Sequence, residues 1–125
     1  MLTIIYMDGS LKNVYQWRFD NFVNFKTDNR SLKLATGLAK NPITHKEALH
    51  TLSHYPHPDV RELVAIHNNT HQDTLHKLSD DPDKYVRWGV AEHNNTHKDT
   101  LHKLSSDPDS SVRRAAKLRL AELKG

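Results

Sequence analysis

Two series of side chains able to do chemistry recur every 26 residues in this chain: the arginines Arg61, Arg87 and Arg113, and the histidines His45, His71 and His97. Imidazoles in a row suggest metal binding, but the spacings oppose it. His45 and His50 lie five apart, which at ~100° per residue sets them about 140° from each other around a helix. His67 and His71 flank Thr70, where a helix is expected to begin. The His45/His71/His97 series would repeat at roughly 8–10 Å between stacked units, too wide for two ligands of one zinc. No metal and no cofactor is expected. The arginines allow two readings. They could line a concave face and contact phosphates together with Lys84, Arg114 and Lys117. Alternatively they pair with acids, since Asp81 and Asp107 precede Arg87 and Arg113 by six residues. Neither a cysteine nucleophile, a Gly-x-Ser-x-Gly elbow nor a phosphate-cradling glycine loop is present, so no enzyme activity is expected.

The elements that position these groups come from an internal repeat. Residues 67–83 read HNNTHQDTLHKLSDDPD and residues 93–109 read HNNTHKDTLHKLSSDPD, a copy displaced by 26 positions with two changes. A fainter copy lies upstream at Thr44, Leu49, Leu52, Val60 and Arg61. Such periodicity means supersecondary units that share a core only with their neighbours. Within a unit, Thr70-His71-Gln72-Asp73 is close to a capping box, so a first helix, A, is expected to start at Thr70. Leu75 and Leu78 share one face of it, as do Leu49/Leu52 and Leu101/Leu104, and these are the expected core. Asp81-Pro82 then reads as the cap and first position of a second helix, B. Val86, Gly89 and Val90, and later Val112, Ala115 and Ala116, are small or branched and permit close packing of helices B.

The expected fold is mainly α, a right-handed α-solenoid of about four 26-residue helical hairpins in one domain, residues 1–125, capped by an N-terminal β-hairpin. Asp8-Gly9 is the hairpin turn, placing the cap at 1–15. A degenerate repeat is expected at 16–41, because Leu34, Gly37, Leu38 and Ala39 precede Val86, Gly89, Val90 and Ala91 by two periods; Phe19, Phe22, Val23 and Phe25 would be its helix A. Repeats at 42–67, 68–93 and 94–119 follow, with a C-terminal cap at 120–125; the stretch from Val112 to Leu123 is expected to continue helically beyond one period, with Arg113, Arg114, Lys117, Arg119 and Lys124 turned outward to make the end polar. Six of the nine aromatics, Tyr6, Tyr15, Trp17, Phe19, Phe22 and Phe25, gather in the first fifth of the chain, as an apolar plug over the open end.

Composition narrows the class. Without cysteine there can be no disulfide and no thiolate-held zinc or iron–sulfur cluster. The formal charge of +3 is mildly basic, too little by itself to argue a nucleic-acid partner. No secretion signal and no apolar run near the ~20 residues of a membrane span are visible, so a soluble cytoplasmic protein is expected. The Asn-x-Thr sequences at Asn68 and Asn94 are then capping motifs and not glycosylation sites. Protonating all ten histidines would raise the charge to +13, so stability or binding is expected to fall below about pH 6.

The pattern Asn-x-x-Thr-x(4)-Leu-x-x-Leu, followed by Asp-Pro-x-x-x-Val-Arg, resembles the leucine-rich repeat variant family and the wider HEAT-like helical repeats over about residues 30–119. Asn41-Pro42-Ile43-Thr44 matches the opening of the family's unit and residues 81–87 match its second half. The resemblance implies a right-handed superhelix used to bind macromolecules, with Asp and Arg ladders tying neighbouring units together. His45, His71 and His97 stand where that family often has proline, and its cysteine cluster is absent, so a cluster-binding role does not carry over. Some HEAT-like proteins are DNA glycosylases that use aromatic and acidic residues, and Trp88 beside Arg87 is of that kind. However, four units are few for wrapping a duplex. The expected function is docking of another protein along the ridge of helices B, by an adaptor or an inhibitor of the size that phages and mobile elements carry. Its contact residues would be Tyr55, His57, Lys84, Tyr85, Arg87, Trp88 and Arg114, with Tyr85 and Trp88 as apolar anchors. The alternative is nucleic-acid binding through phosphate contacts. No membrane and no small-molecule substrate is expected.

Overall fold

Two leucines per unit and a proline-punctuated loop produce a series of short helices in a computed structural model that describes residues 29–124. The described residues are mainly helical and contain no strand. In chain order the helices are α1 (Asn29–Lys40), α2 (Lys46–Leu52), α3 (Pro58–Ile66), α4 (Gln72–Leu78), α5 (Lys84–Glu92), α6 (Lys98–Leu104) and α7 (Ser110–Lys124). Helices A are α2, α4 and α6; helices B are α1, α3, α5 and α7. The expected β-hairpin at 1–15, the aromatic plug and the first helix A with Phe19, Phe22, Val23 and Phe25 lie outside the described residues.

The helices B form a row, α1 against α3, α3 against α5 and α5 against α7, and the helices A pack onto the helices B of the same and adjoining hairpins. Leu49, Leu52, Leu75, Leu78, Leu101 and Leu104 are all buried, beneath Val60, Val64, Val86, Val90 and Val112. Helices of seven to nine residues are too short to persist alone, so this shared interior is what holds them. The near-identical stretches at 67–83 and 93–109 adopt the same conformation. The row is tight at Gly89: a Cβ there would lie 3.1 Å from Cβ of Ala65 and 3.2 Å from Cγ2 of Ile66 in α3, so these side chains would have to give way for any larger residue.

Local signals act one or two residues away from where the sequence places them. Thr70 does not cap α4. It is fully buried and its Oγ1 donates to the Val64 carbonyl at 2.6 Å, closing the end of α3. Thr96 does the same to Val90, and Thr44 bonds the Leu38 carbonyl. With the hydroxyl spent, the next residue becomes the N-cap: Nδ1 of His71 accepts from the Asp73 amide at 3.1 Å, and His97 accepts from Asp99 at 3.2 Å. Likewise Asp81 does not cap α5. Asp83 does, accepting from the amides of Tyr85 and Val86, and Asp109 caps α7 through Ser111 and Val112. Asp81 is turned inward to Arg61.

In α1, two expectations change. Leu34, which the period aligns with Val60 and Val86, is 53% exposed, and Ala35 is buried in its stead. Gly37 has open space around it, so it is not a close-approach glycine like Gly89. At the C-terminal end α7 runs unbroken from Ser110 to Lys124, the helical continuation past one period that the sequence leads one to expect.

Candidate partner-binding surface

The row of helices B turns one residue set outward at a constant register. In α5 this set is Tyr85 and Trp88, 58% and 42% exposed. One period earlier it is Asp59 and Glu62 in α3, and one period later Ser111 and Arg114 in α7. Together these side chains make a ridge that is acidic at α3, aromatic at α5 and basic at α7. Beside the aromatics lies a groove of about 350 Å³ lined by Lys84, Tyr85, Trp88, Asp109 and Ser111. Lys84 spans it, with Nζ 5.4 Å from the Tyr85 ring centroid and 3.8 Å from Asp109. The cation thus lies between the aromatic ring and the acid that caps α7, and forms one wall of the groove. Partial burial, followed by the neighbouring Asp59 and Asp83 carboxylates, raises the pKa of Glu62 above its ordinary range.

The residues expected to make contacts separate into two groups. Lys84, Tyr85, Trp88 and Arg114 are exposed on the ridge. Tyr55 is not available, because it is fully buried in the core. It occupies the register of Asp81 and Asp107, both inward-facing, and a large ring there fills space where the later repeats place a carboxylate. Arg87 is committed to structure. Its Nε and Nη2 donate to Asp107 at 2.8 and 3.2 Å and its Nη1 to the carbonyls of Asp81 and Pro82. Its hydrogen bond to Asp107 leads the causes that raise its pKa further. Arg61 clasps Asp81 in the same way. His57 is the N-cap of α3, its Nδ1 accepting from the Asp59 amide at 3.2 Å, and it stands apart from the aromatic groove. Asp59, Glu62, Asp109 and Ser111 were missed by a reading that looked for aromatics and cations. Aligning Tyr85 and Trp88 by the period finds three of them.

Four of the histidines tie neighbouring units together. Nε2 of His67 bonds the Asn41 carbonyl at 2.7 Å and Nε2 of His93 bonds the His67 carbonyl at 2.6 Å, one unit back each time. His50 and His76 bond the hydroxyls of Thr74 and Thr100 one unit ahead. Among the described residues no three His, Asp or Glu side chains converge to hold a metal, and no helix is long and apolar enough to cross a membrane. Compared with protein-family models, curated proteins and solved structures, the chain gives no match.

Proposed function

We propose that the chain is a small right-handed α-solenoid of the HEAT-like or leucine-rich repeat variant kind that binds another protein through its helix B ridge. The observation that carries this reading is the pair Tyr85 and Trp88, two large aromatics left part-exposed beside a groove while equivalent positions in other hairpins are charged or polar. Aromatic anchors ringed by polar groups are the usual energetic centre of a protein interface. The acidic and basic flanks would set the orientation of the partner and speed encounter. No chemistry of its own is assigned to the protein, which would act in the cytoplasm as an adaptor or inhibitor.

The nucleic-acid alternative loses part of its support and keeps Arg113, Arg114 and Lys117. Arg61 and Arg87 hold aspartates, Lys84 pairs with Asp109, and Asp59 and Glu62 on the same ridge would repel phosphate. The test is capture of partners from the native cell, after nuclease treatment, by the wild type and by a Tyr85→Ala/Trp88→Ala variant. A partner retained by the first and lost by the second supports the reading. A partner released by nuclease, or held equally by both, overturns it.

A further inference from the structure

Arg61, Arg87 and Arg113 are held alike from behind. Nη1 of Arg61 donates to the carbonyls of Tyr55 and Pro56 at 2.9 and 2.7 Å. Nη1 of Arg87 donates to Asp81 and Pro82 at 2.8 and 3.1 Å, and Nη1 of Arg113 to Asp107 and Pro108 at 2.7 and 3.0 Å. In the first two, the remaining Nε/Nη2 edge takes a carboxylate of the next loop side-on, with Nε to Oδ2 at 2.7 and 2.8 Å. In Arg113 that edge has no carboxylate among the described residues. A guanidinium already fixed on one side loses little further freedom on binding, and its planar edge matches a carboxylate.

Helix α7 also differs on the side that in α3 receives the next helix. There Ala65 and Ile66 approach Gly89. The same register gives the buried Ala91 in α5, but Lys117 and Leu118 in α7, both exposed. A lysine in place of a buried alanine opposes a further helix packed as tightly as the others. It sets a second cation four residues, about one turn, from Arg113. We infer that this end of the row docks an acidic segment of a partner protein. Arg113 clasps an Asp or Glu side-on as Arg61 and Arg87 do, Lys117 pairs with a second acid, and Leu118 supplies an apolar flank. A second copy of this chain fits poorly, because Asp81 and Asp107 are already paired and the corresponding position in the preceding unit is Tyr55.

The natural mimic of that segment is the loop that Arg87 already holds. The full chain, labelled for arginine Nε–Hε resonances, is titrated with the synthetic peptide Ser-Ser-Asp-Pro-Asp-Ser-Ser, the sequence of residues 105–111. The Arg113 resonance is expected to shift saturably while those of Arg61 and Arg87 stay in place, and the Asn-for-Asp peptide is expected to leave it unmoved. Lys117→Ala, which keeps Arg113 and its loop, should weaken binding at least threefold. Tyr85→Ala/Trp88→Ala should not change it, which separates this end from the ridge. An Arg113 resonance that stays put, or that responds equally to both peptides, overturns the inference.

Discussion

Nε2 of His93 donates to the carbonyl of His67 at 2.6 Å, while its Nδ1 accepts from the amide of Asn95 at 2.9 Å. A backbone amide can only donate, so Nδ1 carries a lone pair and the buried ring is neutral with its proton on Nε2. Protonation would break the bond to Asn95 and place a charge in a site that the ring shares with the positive Arg119.

The imidazoles of His93 and His50 are therefore expected to make stability depend on pH. Burial outweighs the opposing hydrogen bond to the His67 carbonyl and, with the neighbouring His67 and Arg119, holds the His93 pKa below the ordinary 6.5. His50 is lowered as well, chiefly by burial, then by His54 and Lys77. A folded pKa below the unfolded one means the unfolded chain binds more protons, so stability is full above about pH 6.5 and declines as pH falls through the folded values. The urea midpoint should drop between pH 7.5 and pH 5. His93→Gln should be less stable at pH 7.5 and show a smaller drop. A midpoint independent of pH would contradict the assignment.

Two ion pairs of similar length should differ widely in worth. Arg87 and Asp107 are 14% and 5% exposed and bonded side-on, so Asp107→Ala leaves a largely buried guanidinium unpaired and should cost about 3–5 kcal/mol. Lys103 and Asp80 approach to 2.6 Å but stay 38% and 70% exposed, and Asp80→Ala should cost less than about 1 kcal/mol. The chain itself carries that second substitution in spirit, since Ser106 stands one period after Asp80. Urea unfolding of the two variants measures the contrast. Equal costs would mean that burial does not govern these pairs.

What the sequence made legible follows from how local each signal is. The paired leucines and the 26-residue period depend only on spacing, and the helices and core follow them. The caps did not, because Thr70 and Asp81 have two uses and the spatial neighbour decides between them. Val64 claims the threonine hydroxyl and Arg61 claims the aspartate, passing the cap to His71 and Asp83. Tyr55 is legible only through the register: aligned with Asp81 and Asp107 it occupies an inward position, whereas taken alone it looks like a surface aromatic. The same alignment would have withdrawn Arg87 from the contact surface, since an arginine recurring once per unit beside a recurring aspartate is a joint between units.

The reassigned threonine yields its own test. Thr70 is buried and satisfies the Val64 carbonyl at the end of α3. Thr70→Val keeps the shape and removes the donor, and is expected to cost about 1–3 kcal/mol. Thr70→Ser retains the bond and should lose less. If valine were neutral in thermal unfolding, the hydroxyl would not be what closes the helix.

Tyr85 and Trp88 should be dispensable for folding. Both are part-exposed in α5, and replacing them with alanine should move stability by about 0.5 kcal/mol or less each. Loss of partner capture without loss of thermal stability is the expected signature. A large fall in Tm would assign the two aromatics to the scaffold.

The ridge itself is tested most directly by site-specific photocrosslinking in the native cell, with a benzophenone side chain placed at Tyr85 in one version and at Gln72, exposed at the start of α4, in another. A discrete, nuclease-insensitive protein adduct is expected from position 85 and none from position 72. Adducts only from position 72, or adducts at 85 that vanish with nuclease, would contradict it.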